Sequence, residues 1–303
     1  MEFLHFLEGI RIPGLNELMT TITYLGDEVA FLAIALALFW CMDKRHGYYV
    51  MSVGFMGTIT TQFMKLWYRI PRPWVRDPAF QPMAEALEGA GGYSFPSGHS
   101  QSSVGTFASL ATVSCRKWLR WIFIAIAILV PFSRMYVGVH TPADVLVGSA
   151  VGLAFTFAVY PFIYKKDGKL FPWLLGFMVL LAVGYLCFVE LYPFPADVDV
   201  ENLTSGTENA YTLLGALLGL IPVYVIDRKW LNFPTKAVWW VQIIKVAVGL
   251  GLVLVLKSLL KDPMNMMLGE SVGRAARYFL IVLFGGLGWP CSFRYLAKLG
   301  RKE

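Results

Sequence analysis

The sequence predicts an all-α protein, a polytopic transmembrane helical bundle of about nine spans. Composition is the first reason. Of 303 residues, 57% are hydrophobic and only 15% charged, against roughly 25% charged in an ordinary soluble domain. The second is that apolar runs recur along the whole chain at the length of roughly 20 residues that a helix needs to cross hydrocarbon. The third is where the charge lies. Lys and Arg cluster at the ends of the apolar runs, so the net charge of +6 reads as membrane flanking and not as a nucleic-acid surface.

Taken in order, the spans are expected at about 24–42, 47–67, 98–114, 118–137, 141–164, 171–191, 208–226, 237–260 and 275–297. The third is the weakest, because "SQSSVGTFASLATVS" is rich in Ser, Thr and Gly. Small residues permit close helix contact, which places this helix at the centre of the bundle. Residues 1–23 read as an interfacial segment broken by Pro13 and Gly14. "MEFLHFLEGI" opens on an acidic residue without a basic region or long apolar stretch, so no cleavable signal is expected. The four cysteines, Cys41, Cys115, Cys187 and Cys291, lack CxxC or metal-ligand spacing and read as free and packed.

Loop charge sets the orientation. Lys44 and Arg45 follow the first span; Arg116, Lys117 and Arg120 the third; Lys165, Lys166 and Lys169 the fifth; Arg228, Lys229 and Lys236 the seventh. Arg294, Lys298, Arg301 and Lys302 close the chain, whereas the loop 192–207 has no Lys or Arg but holds Asp197, Asp199 and Glu201. The positive-inside rule then puts the N-terminus outside and the C-terminus in the cytoplasm. The acidic loop reads as solvated. Lys261, Arg274 and Arg277 fall on the outer side, with lipid headgroups as their expected partners. His5 is expected at the interface and His46 in solvent. Lys245, inside the eighth span, is an intramembrane charge and so a functional candidate, with Gln242 and Glu190 as possible partners; an ion pair or a snorkelling tip is the plainer reading.

Three stretches on the outer side carry chemistry: "KLWYRIPRP" at 65–73, "PSGH" at 96–99 and "SRMYVGVHTPAD" at 133–144. Lys65, Arg72 and Arg134 suit an anion, Arg by its rigid fork and Lys as a mobile point charge. Taken singly, each also suits a snorkelling tip. Pro96 disfavours helix at Phe95, Gly98 admits a close ligand, and the helix that follows aims free N–H groups at the same place. Ser97 or Ser100 as an N-cap is the plainer reading, and the two are compatible. In "HTPAD", Thr141 is a candidate N-cap with Pro142 at the first helical position and Asp144 closing a capping box. The i, i+4 spacing of His140 and Asp144 also lets the carboxylate hold one imidazole N–H, which leaves the other nitrogen as a nucleophile.

Together these stretches resemble the signature of the type 2 phosphatidic acid phosphatase superfamily, K-x6-R-P, then P-S-G-H, then S-R-x5-H-x3-D. Here it is supplied by Lys65, Arg72 and Pro73; by Pro96, Ser97, Gly98 and His99; and by Ser133, Arg134, His140 and Asp144. The resemblance implies a phosphatase core over 24–191 and three additional helices over 192–303. It implies a site at the non-cytoplasmic membrane face, periplasmic, extracellular or lumenal. His140 would attack phosphorus and become a phosphohistidine, Asp144 would orient it, and His99 would protonate the leaving oxygen. Lys65, Arg72, Arg134, Ser97 and the Gly98 amide would hold the phosphoryl oxygens. No metal or cofactor is implied. The expected partner is a phosphorylated membrane lipid: phosphatidate, phosphatidylglycerol phosphate, a sphingoid phosphate or a polyprenyl diphosphate; Arg69 and Arg76 suit a second phosphate, with lipid headgroups or loop salt bridges as the plainer reading. A soluble substrate such as a sugar phosphate, as in the glucose-6-phosphatases, is the alternative. A transporter or lipid-binding protein with a relic pocket, or a vanadium haloperoxidase, would fit the fold less well.

Overall fold

The computed structural model describes residues 1–87, 90–196 and 198–299. Asp197, Arg301 and Lys302, and the side chain of Lys166, lie outside the described set. Each apolar run forms a helix: α3 (Glu28–Cys41), α4 (Lys44–Tyr68), α6 (Gly98–Val113), α7 (Lys117–Tyr136), α8 (Pro142–Tyr164), α9 (Phe171–Leu191), α10 (Val200–Ile226), α11 (Trp239–Leu259) and α13 (Glu270–Leu283). The shorter helices are α1 (Glu2–Gly9), α2 (Pro13–Thr23), α5 (Pro73–Arg76), α12 (Lys261–Leu268) and α14 (Phe293–Leu296).

Among the described residues, 6 helices are long and apolar enough to cross a membrane, and up to 7 if the pair Pro13–Gly26 and Glu28–Cys41, bent by 54°, is one span. The expectation of about nine spans is met only to that extent, and α4 and α6 fall short. The reason is physical. Helix α6 has 16 residues, and Ser100, Gln101, Ser103, Thr106 and Ser109 on it are buried. Helix α4 carries Ser52, Thr58, Thr60, Thr61 and Gln62 along its length, and Ser52 and Thr61 are buried. Both turn polar faces to protein, so their composition is not that of a lipid-facing helix.

The chain forms two compact units. The first comprises Met1–Leu32, Tyr49–Pro161 and Pro193–Gly206. Helix α6 is its axis, as its small residues predict. The Cβ that Gly152 lacks would meet the Gln101 carbonyl at 2.7 Å, and that of Gly105 would meet Val53 at 2.9 Å. Gly148 on α8 lies so close to the Ser97 carbonyl that any Cβ would collide with it. Gly148→Ala should therefore push α8 off the 96–99 turn and destabilise the fold by about 1–3 kcal/mol, the usual cost of overpacking; thermal unfolding and phosphate release measure both consequences. The segment 1–23, expected at the interface, packs one face against this unit through Leu4, Leu7 and Met19 and leaves Phe3, Phe6, Ile10, Ile12 and Leu18 exposed. Leu4, Leu7 and Met19 join Phe80, Tyr136, Val137 and Val139 in one hydrophobic cluster. His5 is not a bare interfacial group: its Nε2 lies 2.9 Å from Asp77 and its Nδ1 3.1 Å from Glu8, and Asp77 above all raises its proton affinity. The acidic loop is shorter than expected, because α10 begins at Val200. Asp199 caps it, accepting from the Asn202 amide at 2.8 Å.

The second unit comprises Ala33–Tyr48, Phe162–Tyr192 and Thr207–Glu303. Lys245 is fully buried there. Its Nζ donates to the Pro234 and Thr235 carbonyls at 3.2 and 3.1 Å and lies 4.5 Å from the centre of the Phe293 ring. Its partners are thus backbone carbonyls and a ring, and neither Glu190 nor Gln242. Gln242 donates to Cys41 and Thr235 carbonyls instead. Arg274 pairs with Glu208 at 2.5 Å, a protein partner where a lipid headgroup was expected. His46, expected in solvent, is half-buried and lies 2.6 Å from the Tyr164 hydroxyl. All four cysteines are free, but only Cys41 is partly buried, so the expected packing fails for the other three.

Candidate active site

The three sequence stretches meet in the first unit. Arg72, in the turn between α4 and α5, donates through Nη1 to His140 Nε2 at 3.0 Å and to the Val139 carbonyl at 2.9 Å. Its Nε and Nη2 hold the carbonyls of Gly92 and Gly91 at 2.9 and 2.7 Å. Lys65 donates to the Tyr93 carbonyl at 2.6 Å. The loop before α6 is thereby tied to the two cations that the sequence singles out.

Arginine only donates. The Arg72 contact therefore requires a lone pair on His140 Nε2, and the proton of the neutral ring must sit on Nδ1. Burial pushes the His140 pKa well below its usual value, and the fields of Arg72, Arg134 and Lys65 push it the same way. The same causes favour the neutral imidazole, with the Nε2 lone pair on the side of Arg72. Asp144 lies behind it, with Oδ2 3.7 Å from Nδ1, beyond direct hydrogen-bond length. Ser94 fills the gap: its hydroxyl donates to Asp144 at 2.6 Å and lies 3.5 Å from His140 Nδ1. The same carboxylate accepts from the Thr141 amide at 2.7 Å, and Thr141 Oγ1 accepts from the Asp144 amide at 3.3 Å. The capping box and the histidine support are thus one arrangement.

The neutral state of His140 has a consequence for stability. Below the ordinary histidine range the unfolded chain binds a proton that the folded chain refuses, so stability falls as pH drops. The slope from this one group is at most about 1.4 kcal/mol per pH unit, starting near pH 6.5. His140→Gln should flatten the acid side of the unfolding-temperature profile of the ligand-free protein, and an unchanged profile would count against a buried neutral ring.

Ser97 is the N-cap of α6, accepting from the Ser100 amide at 3.3 Å. Its own amide donates to the Asp144 carbonyl at 3.0 Å, which locks the 96–99 turn to the start of α8. Gly98 opens α6, and a Cβ there would meet no protein atom within 4 Å. Arg134, 2% exposed, donates through Nη1 to Thr23 at 2.8 Å. Its Nε and Nη2 are buried without a partner among the described residues. His99 Nε2 lies 2.5 Å from Asp27 Oδ1.

Three polar residues around this site were not anticipated: Asp27, Thr23 and Ser94. Asp27 and Thr23 come from the break between α2 and α3, far from every motif in sequence, and nothing in the residues near them marks them. Ser94 had a signal, since it stands two residues before Pro96 in "YSFPSGH". Arg69 has φ 50° and turns back on the Leu66 carbonyl at 3.1 Å, ending α4. Arg76 is exposed on α5.

The profile of the PAP2 superfamily matches residues 45–167, and that of the PAP2 superfamily phosphatase transmembrane extension matches 211–302. Phosphatidylglycerophosphatase B of Bacillus subtilis is 31% identical over 166 residues, covering 50% of this chain and 77% of that protein. The chain belongs to the PAP2 superfamily. The resemblance carried by Lys65, Arg72, His99, Arg134, His140 and Asp144 is thus a relationship. This PAP2 protein is also 28% identical to an undecaprenyl-diphosphatase of Bacillus subtilis, over 48% of its own length and 76% of the other. It is 29% identical to a lipid A 4'-phosphatase of Porphyromonas gingivalis, over 52% and 69%. The crystal structure of the first transmembrane PAP2 type phosphatidylglycerolphosphate phosphatase from Bacillus subtilis aligns at 30% identity and TM-score 0.47, over 55% of this chain and 85% of that one. The extension profile falls on the C-terminal helices from α10 onward. With its long apolar helices, this PAP2 protein is a multi-pass integral membrane protein.

Proposed function

We propose that the protein is a membrane phosphatase that hydrolyses a phosphate monoester or diphosphate carried by a lipid, through a phosphohistidine on His140. The observation that carries this reading is the unsatisfied guanidinium of Arg134, buried beside a neutral histidine whose nucleophilic nitrogen is already oriented by Arg72. Buried donors without acceptors are costly, and a phosphoryl group supplies the acceptors. Relatives named for phosphatidylglycerophosphate, undecaprenyl diphosphate and lipid A support a lipid substrate.

In the proposed reaction, Arg134, Arg72, Lys65, Ser97 and the Gly98 amide hold the phosphoryl oxygens. Such fixed donors aimed at developing charge account for much of enzymatic rate enhancement. As the phosphoryl group binds, the Arg72 Nη1–H hydrogen bond passes from His140 Nε2 to a phosphoryl oxygen and frees the lone pair; Nε2 then attacks phosphorus, while Nδ1–H is steadied by Ser94 and Asp144. His99 gives a proton to the leaving oxygen, then takes one from the water that cleaves the phosphohistidine. No step calls on a metal or cofactor. The site faces the non-cytoplasmic side, where loop charge puts the ends of α4, α6 and α8. On this reading α4 and α6 also cross the bilayer, giving nine spans in all: a core over 24–191 with an extension over 192–303.

Phosphate release tests the substrate class. The detergent-solubilised protein is given phosphatidate, phosphatidylglycerol phosphate, sphingoid phosphate, undecaprenyl diphosphate and glucose 6-phosphate at matched concentrations. Turnover of at least one lipid should exceed that of the sugar phosphate by about 100-fold or more, the scale of remote binding energy used at a reacting centre. Sugar-phosphate turnover without lipid turnover would overturn the lipid assignment and leave the chemistry standing.

A further inference from the structure

The second compact unit holds a cavity of about 300 Å³ that the proposed chemistry does not use. Its lining comes from the start of α4, from the turn joining α8 to α9, and from the end of α10. These are all ends of long helices, where membrane-length elements meet lipid headgroups.

Three cations and one carboxylate line it: Lys44, Arg45, Arg228 and Asp227. Lys44 is committed, since it reaches both Asp227 oxygens at 2.9 and 2.8 Å and lies 3.7 Å from the centre of the Phe233 ring. That pair is neutral overall, and Asp43 offsets Arg45 from outside the lining, so the lining keeps a net positive charge through Arg228. Arg45 leans on Asp43 at 2.9 Å from outside the lining, and Arg228 donates through Nη1 to the Tyr224 hydroxyl at 2.5 Å. The wall is aromatic. Tyr48, Phe171 and Tyr224 pack with ring centres 4.9 to 5.7 Å apart. Tyr48 is 7% exposed, and its hydroxyl is buried with no partner among the described residues. A buried hydroxyl is rarely left unmet in a native protein. Two guanidinium groups, an unmet phenol and an aromatic wall at headgroup depth match a phosphate anion with apolar substance attached.

We propose that this cavity binds the phosphate of an anionic phospholipid headgroup, through Arg45, Arg228 and the Tyr48 hydroxyl. Basic pockets between helix ends are a recurrent means of holding such headgroups. Every residue assigned above to phosphate cleavage belongs to the first unit, so this site is a second one and does not depend on that assignment.

The test uses a lipid the catalytic site does not hydrolyse. Phosphatidylglycerol is a phosphodiester with no terminal phosphate. The full-length protein is stripped in detergent, mixed with phosphatidylglycerol or phosphatidylcholine, and the lipid retained is counted by native mass spectrometry. The wild type should retain phosphatidylglycerol about tenfold over phosphatidylcholine, and Y48F/R228A should lose that preference. Phosphate release in phosphatidylcholine micelles should be unchanged in that variant, which reports that it is folded. If it does not fold, Tyr48→Phe alone, lacking one hydroxyl, should still lower the preference severalfold. Competition by inorganic phosphate would identify the phosphate alone as the recognised element; no competition would assign recognition to the whole headgroup. Equal retention by wild type and variants, or equal retention of the two lipids, would overturn the proposal.

Discussion

His140→Ala should abolish phosphate release, with a loss of at least about 10⁴-fold, the scale seen when a nucleophile is removed from a covalent mechanism. The expectation rests on a chain of geometry. Arg72 can only donate, so its 3.0 Å contact leaves His140 Nε2 with a lone pair. Burial and three neighbouring cations disfavour protonation of that ring, so on the proposed mechanism the nucleophile would need no base to free it. On the same mechanism, the anion that would satisfy the buried Arg134 nitrogens is the phosphoryl group that Nε2 attacks. Rate alone would not separate a nucleophile from a binding residue, and trapping does. A phosphorus–nitrogen bond survives alkaline denaturation, so labelled phosphate should stay with the wild-type chain when turnover is quenched in base. It should be absent from His140→Ala and present in reduced amount in Ser94→Ala. Turnover by His140→Ala at the wild-type rate would sink the mechanism.

How legible this was in the sequence depends on where each residue stands. Lys65, Arg72, His99, Arg134, His140 and Asp144 stand in contiguous motifs with fixed spacing, and the start of α6 and the capping box of α8 are local structures that such motifs encode. The central place of α6 was readable too, because a helix of Ser, Gly and Thr can only be useful against protein. Asp27 and Thr23 were not readable. They reach the site through the break between α2 and α3, and a contact between residues 27 and 99 leaves no trace in either neighbourhood. The span count is met only in part, for a related reason. Hydropathy registers helices that face lipid, while the helices nearest the site bury polar groups and look too polar to cross. Lys245 shows the same limit. An intramembrane cation suggested a carboxylate partner, yet two backbone carbonyls before α11 supply the acceptors.

Asp27→Asn should slow hydrolysis of an alkyl phosphate such as phosphatidate by about 100-fold, the lower range for losing general acid catalysis. On the proposed mechanism Asp27 touches no reacting atom; it would act as a positioning residue for His99, whose Nε2 lies 2.5 Å from its carboxylate. With Nε2–H given to the carboxylate, Nδ1 is the atom left to protonate the leaving oxygen, and the negative charge favours the imidazolium that must form. An amide keeps the shape and removes the charge, much as an Asp→Asn change behind a catalytic histidine does elsewhere. The size of the effect should depend on the leaving group. A lipid alcohol departs as a strongly basic oxygen and needs the proton. A polyprenyl phosphate leaving a diphosphate, or p-nitrophenolate, departs nearly unaided. The variant should therefore lose most activity on phosphatidate, far less on undecaprenyl diphosphate, and least on p-nitrophenyl phosphate, with KM little changed. Asp27→Glu, which keeps the charge, should recover part of the phosphatidate rate. A purely structural role for Asp27 would lower all three substrates alike, so a uniform loss, or none, would remove Asp27 from the mechanism. Because the ratio between phosphatidate and diphosphate reads how much proton transfer the enzyme supplies, the same measurement reports which of the two leaving groups this site is built to release.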